Sequence, residues 1–254
     1  MESLELQGKV FVVTGGSRGI GREIVLGAAA RGAQVAFCAR TLGLDAQGFQ
    51  EIAGPVGGAR VLAVRADISC ESDVEALFDA TLQAFGRVDV VVNNAGISRE
   101  ALLVSLPAET WDEVIATNLT GAFLVSRRAI QVFLAQQQGG KIVSIGSVMQ
   151  NGAPSNASYS ASKGGLVGLT RAIAQQYGSR GISAQLVVAG AVETELTRGV
   201  PEAMKRAIVD ACPQKRQAQA SEIASAVLFL ASQRSGLSNG EAMYVGGGLR
   251  EVMT

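Results

Sequence analysis

A tyrosine and a lysine, Tyr159 and Lys163, stand four residues apart, and Ser147 precedes the tyrosine by twelve residues. Four residues is about one helical turn, so the spacing predicts both side chains on one face of a helix. A phenol normally loses its proton near pH ~10, and a nearby ammonium group lowers that pKa by stabilising the phenolate. The pattern therefore indicates a phenol that acts as general acid or base. The spacing alone would also fit an exposed helical pair without chemistry.

The absence of histidine excludes several kinds of site. The chain contains no histidine among its 254 residues. A Ser-His-Asp triad, a His-based zinc site and a histidine proton shuttle are therefore excluded. No cysteine or carboxylate spacing is typical of a metal site either, so the sequence predicts no bound metal. Any acid–base step must use tyrosine, lysine or a carboxylate.

Composition narrows the class of protein. The net charge is zero and 17% of residues are charged, so there is no basic patch for nucleic acid. Hydrophobic residues make up 48%, but no apolar run reaches the ~18 residues of a membrane span. Together with the absence of an apolar leader, this predicts a cytoplasmic protein that buries surface in a homodimer or homotetramer. Cys38, Cys70 and Cys212 are predicted to be small buried residues in a reducing compartment.

Short apolar runs alternate with amphipathic stretches along the whole chain. Strands are predicted at 9–14, 34–38, 60–65, 88–92, 141–145, 182–188 and 242–245. Helices are predicted at 20–31, 71–85, 109–137 with an interruption near Gly121, 158–177 and 221–231. Runs this apolar indicate strands buried on both faces. The repeated βα units predict an α/β fold with one doubly wound parallel sheet, spanning residues 1–254 as a single domain.

A glycine-rich segment follows the first predicted strand and opens the first helix. Glycines in this position allow a tight turn, and the helix N-terminus offers free N–H groups to a pyrophosphate. The segment therefore predicts a dinucleotide site. Its candidate binding residues are Gly15, Ser17, Arg18, Gly19, Ile20 and Gly21.

The end of the second strand predicts which dinucleotide binds. NAD sites usually have Asp or Glu there, to bind the ribose 2′-hydroxyl. This chain has Ala39 and Arg40, and no acid before Asp45. Arginine can pair with a 2′-phosphate, and Arg18 could approach it from the glycine loop. We therefore expect NADP(H) rather than NAD(H); the alternative is a pair of solvated surface arginines.

Six motifs in order resemble the short-chain dehydrogenase/reductase family over nearly the whole chain. They are residues 14–21, Asp67-Ile68, Asn93-Asn94-Ala95-Gly96, Asn118, Ser147 and Tyr159-x-x-x-Lys163. The resemblance implies a single Rossmann-like domain with a seven-stranded parallel sheet flanked by helices.

The resemblance also implies a role for each matching residue. Ser147 would polarise the substrate carbonyl, Tyr159 would protonate the developing alkoxide, and Lys163 would lower the pKa of Tyr159 and bind the nicotinamide ribose. Asn118 would hold a water that links the lysine to solvent. The remaining implied cofactor contacts are Asp67 and Ile68 at the adenine, Asn94, Ala95 and Gly96 along the cofactor, and Gly190, Val192 and Thr194 towards the nicotinamide.

Within this family the chain looks most like the β-ketoacyl-carrier-protein reductases. A carbonyl substrate on an acyl carrier protein is therefore expected, and Arg180 fits one position that would meet the acidic carrier. Residues 136–138 are glutamines where a basic residue is common, so the carrier remains one possible partner. The substrate lid is predicted at 195–213. The alternatives are an alcohol, sugar or steroid dehydrogenase of the same family, or an idle NADP-binding scaffold.

Overall fold

The seven-stranded parallel sheet is the centre of the fold. The computed structural model describes residues 5–42, 59–193 and 202–250. Its strands run in the order β3-β2-β1-β4-β5-β6-β9, and every neighbouring pair is parallel. They are β1 (Val10–Thr14), β2 (Gln34–Ala39), β3 (Val61–Arg65), β4 (Val90–Asn93), β5 (Gly140–Ser147), β6 (Ile182–Ala189) and β9 (Ala242–Val245). This confirms the predicted Rossmann-like sheet, and each strand lies within two residues of its prediction.

Helices cover both faces of this sheet. They are α1 (Gly19–Ala29), α2 (Glu71–Phe85), α3 (Ala108–Ile115), α4 (Gly121–Gln136), α5 (Ala157–Tyr177), α6 (Glu202–Ala211) and α7 (Ala220–Ala231). Side chains alternate between the faces of a strand. Phe11 and Val13 of β1 accordingly pack into a cluster with α1 and α7, whereas Val12 packs with α2 and α4. Both faces are therefore apolar, as the strand sequences predict.

The long predicted helix is broken by a π-helical turn. The interruption expected near Gly121 is this turn, at Ala116–Thr120 between α3 and α4, and it ends directly before Gly121. Asn118, in the middle of this turn, is 1% exposed. A π turn places one extra residue in the helix, and such turns are frequent at functional sites. The sequence therefore placed the break correctly, but its π-helical form was not predicted, because the helical periodicity of 109–137 continues through the turn.

The predicted lid segment is partly described. Residues 194–201, including Thr194, lie outside the described ranges, and α6 occupies most of the rest. The short strands β7 (Val192–Glu193) and β8 (Ala218–Gln219) pair in parallel on either side of the segment. Ile208 of α6 packs against a core cluster, whereas Met204 is 54% exposed. The residues before and after the lid segment are therefore held side by side by the pairing of β7 with β8.

The three cysteines do not share one environment. Cys38 in β2 and Cys212 after α6 are buried, as predicted. The prediction is wrong for Cys70, which is exposed because it precedes the first turn of α2 at the protein surface. Burial raises the pKa of Cys38 to about 12, so its thiol is chemically quiet at neutral pH.

No described helix combines the length and hydrophobicity needed to cross a bilayer.

Thr14 and Asn94 tie the carboxyl ends of β1 and β4 together. The Thr14 hydroxyl accepts hydrogen bonds from the backbone N–H groups of Asn94 and Ala95, both at 3.0 Å. It donates to the Val92 carbonyl at 3.3 Å. The Asn94 side chain donates to the carbonyls of Thr14, at 2.8 Å, and Gly15, at 3.0 Å. These contacts fix the two loops that open the cleft described below.

The substitution Thr14→Val should lower the free energy of unfolding by about 1–3 kcal/mol, because it leaves two partly buried N–H groups without an acceptor. Thr81→Val is a matched control in a buried helical threonine. The Thr81 hydroxyl only donates to the Leu77 carbonyl within the same helix, so its loss should cost less than about 1 kcal/mol. Urea unfolding of both variants measures the difference. Equal losses of unfolding free energy in the two variants would mean that the hydrogen bonds accepted by the Thr14 hydroxyl do not contribute to stability.

Candidate active site

A cleft of about 720 Å³ opens at the carboxyl ends of the strands. Ligands bind at this edge in doubly wound sheets, near the point where the strand order reverses. Here the reversal lies between β1 and β4. Thirteen of the predicted cofactor residues line the cleft: Gly15, Ser17, Arg18, Gly19, Ile20, Arg40, Asp67, Ile68, Asn94, Ala95, Gly96, Tyr159 and Lys163.

Other predicted residues do not line this cleft. Gly21 is buried beneath the glycine loop, and Val192 is 5% exposed and packs into the core. Gly190 lies where the loops after β6 and β9 approach each other, since a Cβ there would be 2.5 Å from the Gly246 Cα. These positions are conformational requirements of the loops in this structure, and a contact of Gly190 or Val192 with a cofactor stays a prediction.

The glycine loop fits a phosphate group because its backbone is compact and the helix behind it begins without acid. Gly15 has a φ of +66°, and a Cβ on it would be 2.9 Å from the Ala95 Cα. A Cβ on Gly21 would be 2.1 Å from the Gly15 carbonyl oxygen. No acidic residue lies in the first turn of α1, so the positive end of the helix dipole is not neutralised there. A dinucleotide pyrophosphate is the group that this cradle would bind.

The adenosine end of the cleft is bordered by a cation and a carboxylate. Arg40 is exposed directly after β2, and Ala39 occupies the position where an acid would select NAD. Asp67 Oδ1 accepts hydrogen bonds from the Ser69 amide at 3.0 Å and hydroxyl at 2.7 Å. Partial burial raises the pKa of Asp67, but the Ser69 hydrogen bonds and the Arg40 charge outweigh it and bring the pKa below its usual value. This end of the cleft therefore carries one fixed anion and one exposed cation.

Two of the residues predicted to do chemistry, Tyr159 and Lys163, line the other end of the cleft, and Ser147 lies next to Tyr159 at the end of β5. Ser147 is the last residue of β5, and Tyr159 and Lys163 lie in the first two turns of α5. The Lys163 ammonium donates to the Ile145 carbonyl at 2.8 Å and lies 5.6 Å from the centre of the Tyr159 ring. Ser147 Oγ accepts from the Met149 amide at 3.2 Å, and it also hydrogen-bonds with Tyr159.

Burial controls the protonation of both groups on α5. Lys163 is 4% exposed, and burial lowers its pKa to about 8. Tyr159 is partly buried and lines the cleft, and burial raises the pKa of Tyr159 while the Ser147 hydrogen bond lowers it less. The expectation that Lys163 brings the pKa of Tyr159 below its ordinary value is therefore wrong for this structure. The ammonium is engaged by Ile145, and burial of the phenol dominates.

Asn118 connects the π turn to two neighbouring segments. Its Oδ1 accepts from the Ile97 amide at 2.8 Å, and its Nδ2 donates to the Ile97 carbonyl at 2.9 Å and to Ser162 Oγ at 3.1 Å. A Cβ on Gly96 would be 3.3 Å from Asn118 Oδ1 and 3.5 Å from Lys163 Nζ. Asn118 and Lys163 therefore flank Gly96, where only a residue without a side chain leaves the space open.

Asn93 also ties structural elements together. Its Nδ2 donates to Ser126 Oγ in α4 at 2.9 Å and to Ser144 Oγ in β5 at 3.3 Å. It thereby joins β4 to its neighbouring strand and covering helix.

Arg180 is not at the cleft. It is exposed in a short 3₁₀ helix that directly precedes β6, so it lies at the amino edge of the parallel sheet. Ser147 and Tyr159 lie at the carboxyl edge, and β6 alone is eight residues, or roughly 26 Å, long. A carrier protein at the cleft of this chain would not meet Arg180 of the same chain.

Several cleft residues were not found from the sequence. Ile145 lines the cleft and provides the carbonyl that binds Lys163, and Thr117 and Ile97 flank Asn118 and Gly96. Ile145 acts through its backbone, for which the sequence has no signal. Thr117 and Ile97 adjoin recognised motifs, so adjacency was the available signal. Among the described residues, no three His, Cys, Asp or Glu side chains are grouped as they would be around a metal ion.

Comparisons with known proteins agree over nearly the full length. A family profile described as enoyl-(acyl carrier protein) reductase matches residues 15–250. The 3-oxoacyl-(acyl-carrier-protein) reductase FabG of Escherichia coli strain K12 is 39% identical over 252 residues, which are 98% of this chain and 100% of that protein. The crystal structure of levodione reductase is 32% identical with a TM-score of 0.88, covering 95% of this chain and 97% of that one. A short-chain type dehydrogenase/reductase from Mycobacterium marinum is 31% identical with a TM-score of 0.89, covering 96% of both chains.

The buried ammonium should make Lys163→Met more stable than the wild type at pH 7, by roughly 1–2 kcal/mol. Burying the charge costs more than the single hydrogen bond to Ile145 returns. Between a folded pKa of about 8 and the ordinary pKa near ~10.4, the unfolded chain binds more protons than the folded one. Wild-type stability from this group should therefore rise with pH in that window, and the advantage of the variant should shrink.

Urea unfolding at pH 7 and pH 9.5 measures this difference. A variant less stable than the wild type at pH 7 would contradict the argument, because the hydrogen bond would then outweigh the cost of burial.

Proposed function

The chain belongs to the short-chain dehydrogenase/reductase family, and we propose that it is an NADPH-dependent ketoreductase whose substrate is a β-ketoacyl thioester. As a member of this family it is an oxidoreductase that acts on CH–OH groups and uses a nicotinamide cofactor. The proposal adds the phosphate form of the cofactor, the direction of the reaction, the substrate class and the roles of Ser147, Tyr159, Lys163 and Asn118.

The meeting of Ser147, Tyr159 and Lys163 beside the cleft is the observation that carries the proposal. Tyr159 and Lys163 line the cleft together with the predicted cofactor residues, and Ser147 ends β5 next to them. The phenol of Tyr159 holds a proton that a developing alkoxide can accept, because burial raises its pKa. The same pair would serve as a base in the reverse reaction, so the reductive direction is proposed from the relatives.

Each residue contributes one function to that reaction. Bound NADPH would supply the hydride. Ser147 Oγ accepts from Met149 and hydrogen-bonds with Tyr159 in the resting site; with substrate bound, its proton would be donated to the substrate carbonyl and polarise it. Tyr159 passes its phenol proton to the same oxygen. Lys163 carries a positive charge at neutral pH because its pKa is about 8, and this charge stabilises the phenolate that remains.

Arg40 supports the choice of NADPH. It is exposed on the cleft wall directly after β2, where Ala39 replaces the acid of an NAD site. Arg18 lines the same cleft as the N-cap residue of α1. An acid near the ribose would repel a 2′-phosphate, whereas a guanidinium can bind it through two hydrogen bonds.

Initial rates should give a kcat/KM at least tenfold higher with NADPH than with NADH. The substitution Arg40→Ala should narrow that ratio at least fivefold, by raising the KM for NADPH and leaving that for NADH nearly unchanged. Arg65→Ala is a matched control, because Arg65 is an exposed arginine opposite Ala39 on β3 that does not line the cleft. Equal or faster turnover with NADH would overturn the choice of cofactor.

The substrate class rests mainly on the relatives. The FabG protein of Escherichia coli reduces 3-oxoacyl groups by its name and matches this chain from end to end. The family profile is described by an enoyl reductase, but Ser147 and Tyr159 form a pair suited to a carbonyl oxygen. Arg180 lies at the opposite edge of the sheet, so an acyl carrier protein is proposed from the relatives alone.

The function is tested by measuring the rate of NADPH oxidation at pH 7 with each member of a panel of carbonyl substrates. An acetoacetyl thioester should give the highest kcat/KM, above simple ketones, sugars and steroid ketones. Tyr159→Phe should lower kcat by roughly 10³-fold or more while NADPH binding stays within about threefold, because it removes only the transferable proton. Retained turnover in this variant would remove Tyr159 from the mechanism.

The panel also separates the two other readings. A preference for an alcohol, sugar or steroid would identify another dehydrogenase of the family. The similar structure of levodione reductase supports keeping this alternative. NADPH binding without turnover of any carbonyl would indicate a scaffold. The presence of Tyr159 and Lys163 in the cleft, with Ser147 next to Tyr159, argues against the scaffold.

Self-association into a homodimer or homotetramer is part of the proposal. Phe123 on α4 is 43% exposed, with the Arg127 guanidinium 5.3 Å from its ring centre. Leu102, Leu103 and Val104 follow one another on the surface and are 61%, 73% and 94% exposed. Contiguous apolar surface of this kind is typical of protein interfaces. Leu124 on α4 and Leu166 on α5 are buried within the chain itself and add nothing to such a surface.

A further inference from the structure

The hydroxyl of Ser162, on α5, lies between the backbone of that helix and the π turn at Ala116–Thr120. Ser162 is 0% exposed and immediately precedes Lys163. Its Oγ donates to the Tyr159 carbonyl oxygen at 2.7 Å and accepts from Asn118 Nδ2 at 3.1 Å. The one proton of the hydroxyl is therefore directed at the backbone of Tyr159, which leaves its lone pairs for the asparagine.

This hydroxyl completes the hydrogen bonding of the Asn118 amide. The two N–H bonds of Nδ2 go to Ile97 and to Ser162, and Oδ1 accepts from the Ile97 amide. Asn118 is 1% exposed. Without Ser162 one buried N–H would have no acceptor among its present contacts, and the amide could turn to find another.

We propose that Ser162 is a positioning residue for the reaction, because it fixes the distance between the Tyr159 backbone and the loop that carries Gly96 and Ile97. This inference rests on the proposed function. The hydrogen-bonded path runs from Ile97 through Asn118 and Ser162 to Tyr159, and it joins the loop after β4 to the first turn of α5. Gly96 and Tyr159 both line the cleft, so the path sets how far the proton donor lies from the cofactor wall.

A nearby serine shows that burial alone does not explain Ser162. Ser158 is also 0% exposed and lies on the same helix, next to Tyr159. Within the described part of the chain, its Oγ has no hydrogen-bond partner. The two serines therefore share residue type, helix and burial, and they differ in whether the hydroxyl connects two segments.

Kinetics of Ser162→Ala with Ser158→Ala as the matched control test the inference. We expect Ser162→Ala to lower kcat about tenfold or more while the KM for NADPH changes less than twofold, because misplacement of a reacting group affects the chemical step most. Ser158→Ala should keep at least half of the wild-type kcat. A Ser162→Ala variant with more than half of the wild-type kcat, or equal losses in the two variants, would overturn the proposal.

A double-substitution cycle separates positioning from general loss of structure. If Ser162 acts through Asn118, Ser162→Ala should lower kcat less than about twofold in an Asn118→Ala background. A tenfold loss in both backgrounds would show that the two residues act independently, and the proposal would fail.

Amide hydrogen exchange gives a readout that does not need turnover. The Ile97 amide donates to Asn118 Oδ1, so its exchange should accelerate at least fivefold in Ser162→Ala and less than twofold in Ser158→Ala. If the Ile97 amide is unchanged in Ser162→Ala, the path does not exist. If exchange accelerates but wild-type protein reduces no carbonyl, the path stands and the proposed function fails instead.

Discussion

The burial of one ammonium group is the constraint on which the site depends. Lys163 is 4% exposed and donates to the Ile145 carbonyl at 2.8 Å. A buried charge is costly unless a strong partner is near, and the backbone carbonyl of β5 is neutral. The lysine side chain reaches the end of β5, and the missing side chain of Gly96 leaves space beside the ammonium group. The cost of burying Lys163 is compensated by the packing of the rest of the chain.

That packing is the parallel sheet, which also explains why the functional residues meet. Motifs that are 50 or more residues apart converge because parallel strands bring their carboxyl ends to one edge. Thr14 joins β1 to β4 at this edge, Asn93 joins β4 to β5, and Asn118 joins the loop after β4 to α5. Each of these polar residues is buried and satisfies backbone or hydroxyl groups of a neighbouring segment. The polar contacts at the rim of the cleft thus connect the segments that follow neighbouring strands, beyond the point where strand pairing ends.

The features that could be predicted from the sequence are those that depend on the type and spacing of side chains. Apolar runs located all seven sheet strands, and the glycine loop and the Tyr159–Lys163 spacing located the cleft. The break in the helix near Gly121 was predicted, but its π-helical form was not, since a single extra residue in a helix leaves its hydrophobic pattern almost intact. The contact from Ile145 uses a backbone carbonyl, and the exposure of Cys70 depends on the edge at which α2 begins. Arg180 was matched by position in a motif, without the strand direction that places it at the opposite edge.

The corrected pKa of Tyr159 changes how the lysine contributes to the proposed reaction. In the resting site burial raises the pKa of Tyr159, so the ammonium does not produce a phenolate in advance. Any stabilisation of the phenolate by the ammonium belongs to the same pKa, so it would offset part of the rise that burial causes. A group that stabilises the charge developing during the reaction more than the resting state accelerates it. In the proposed reaction the buried ammonium of Lys163 would be such a group, because its interaction with a phenolate is strong in a medium of low dielectric.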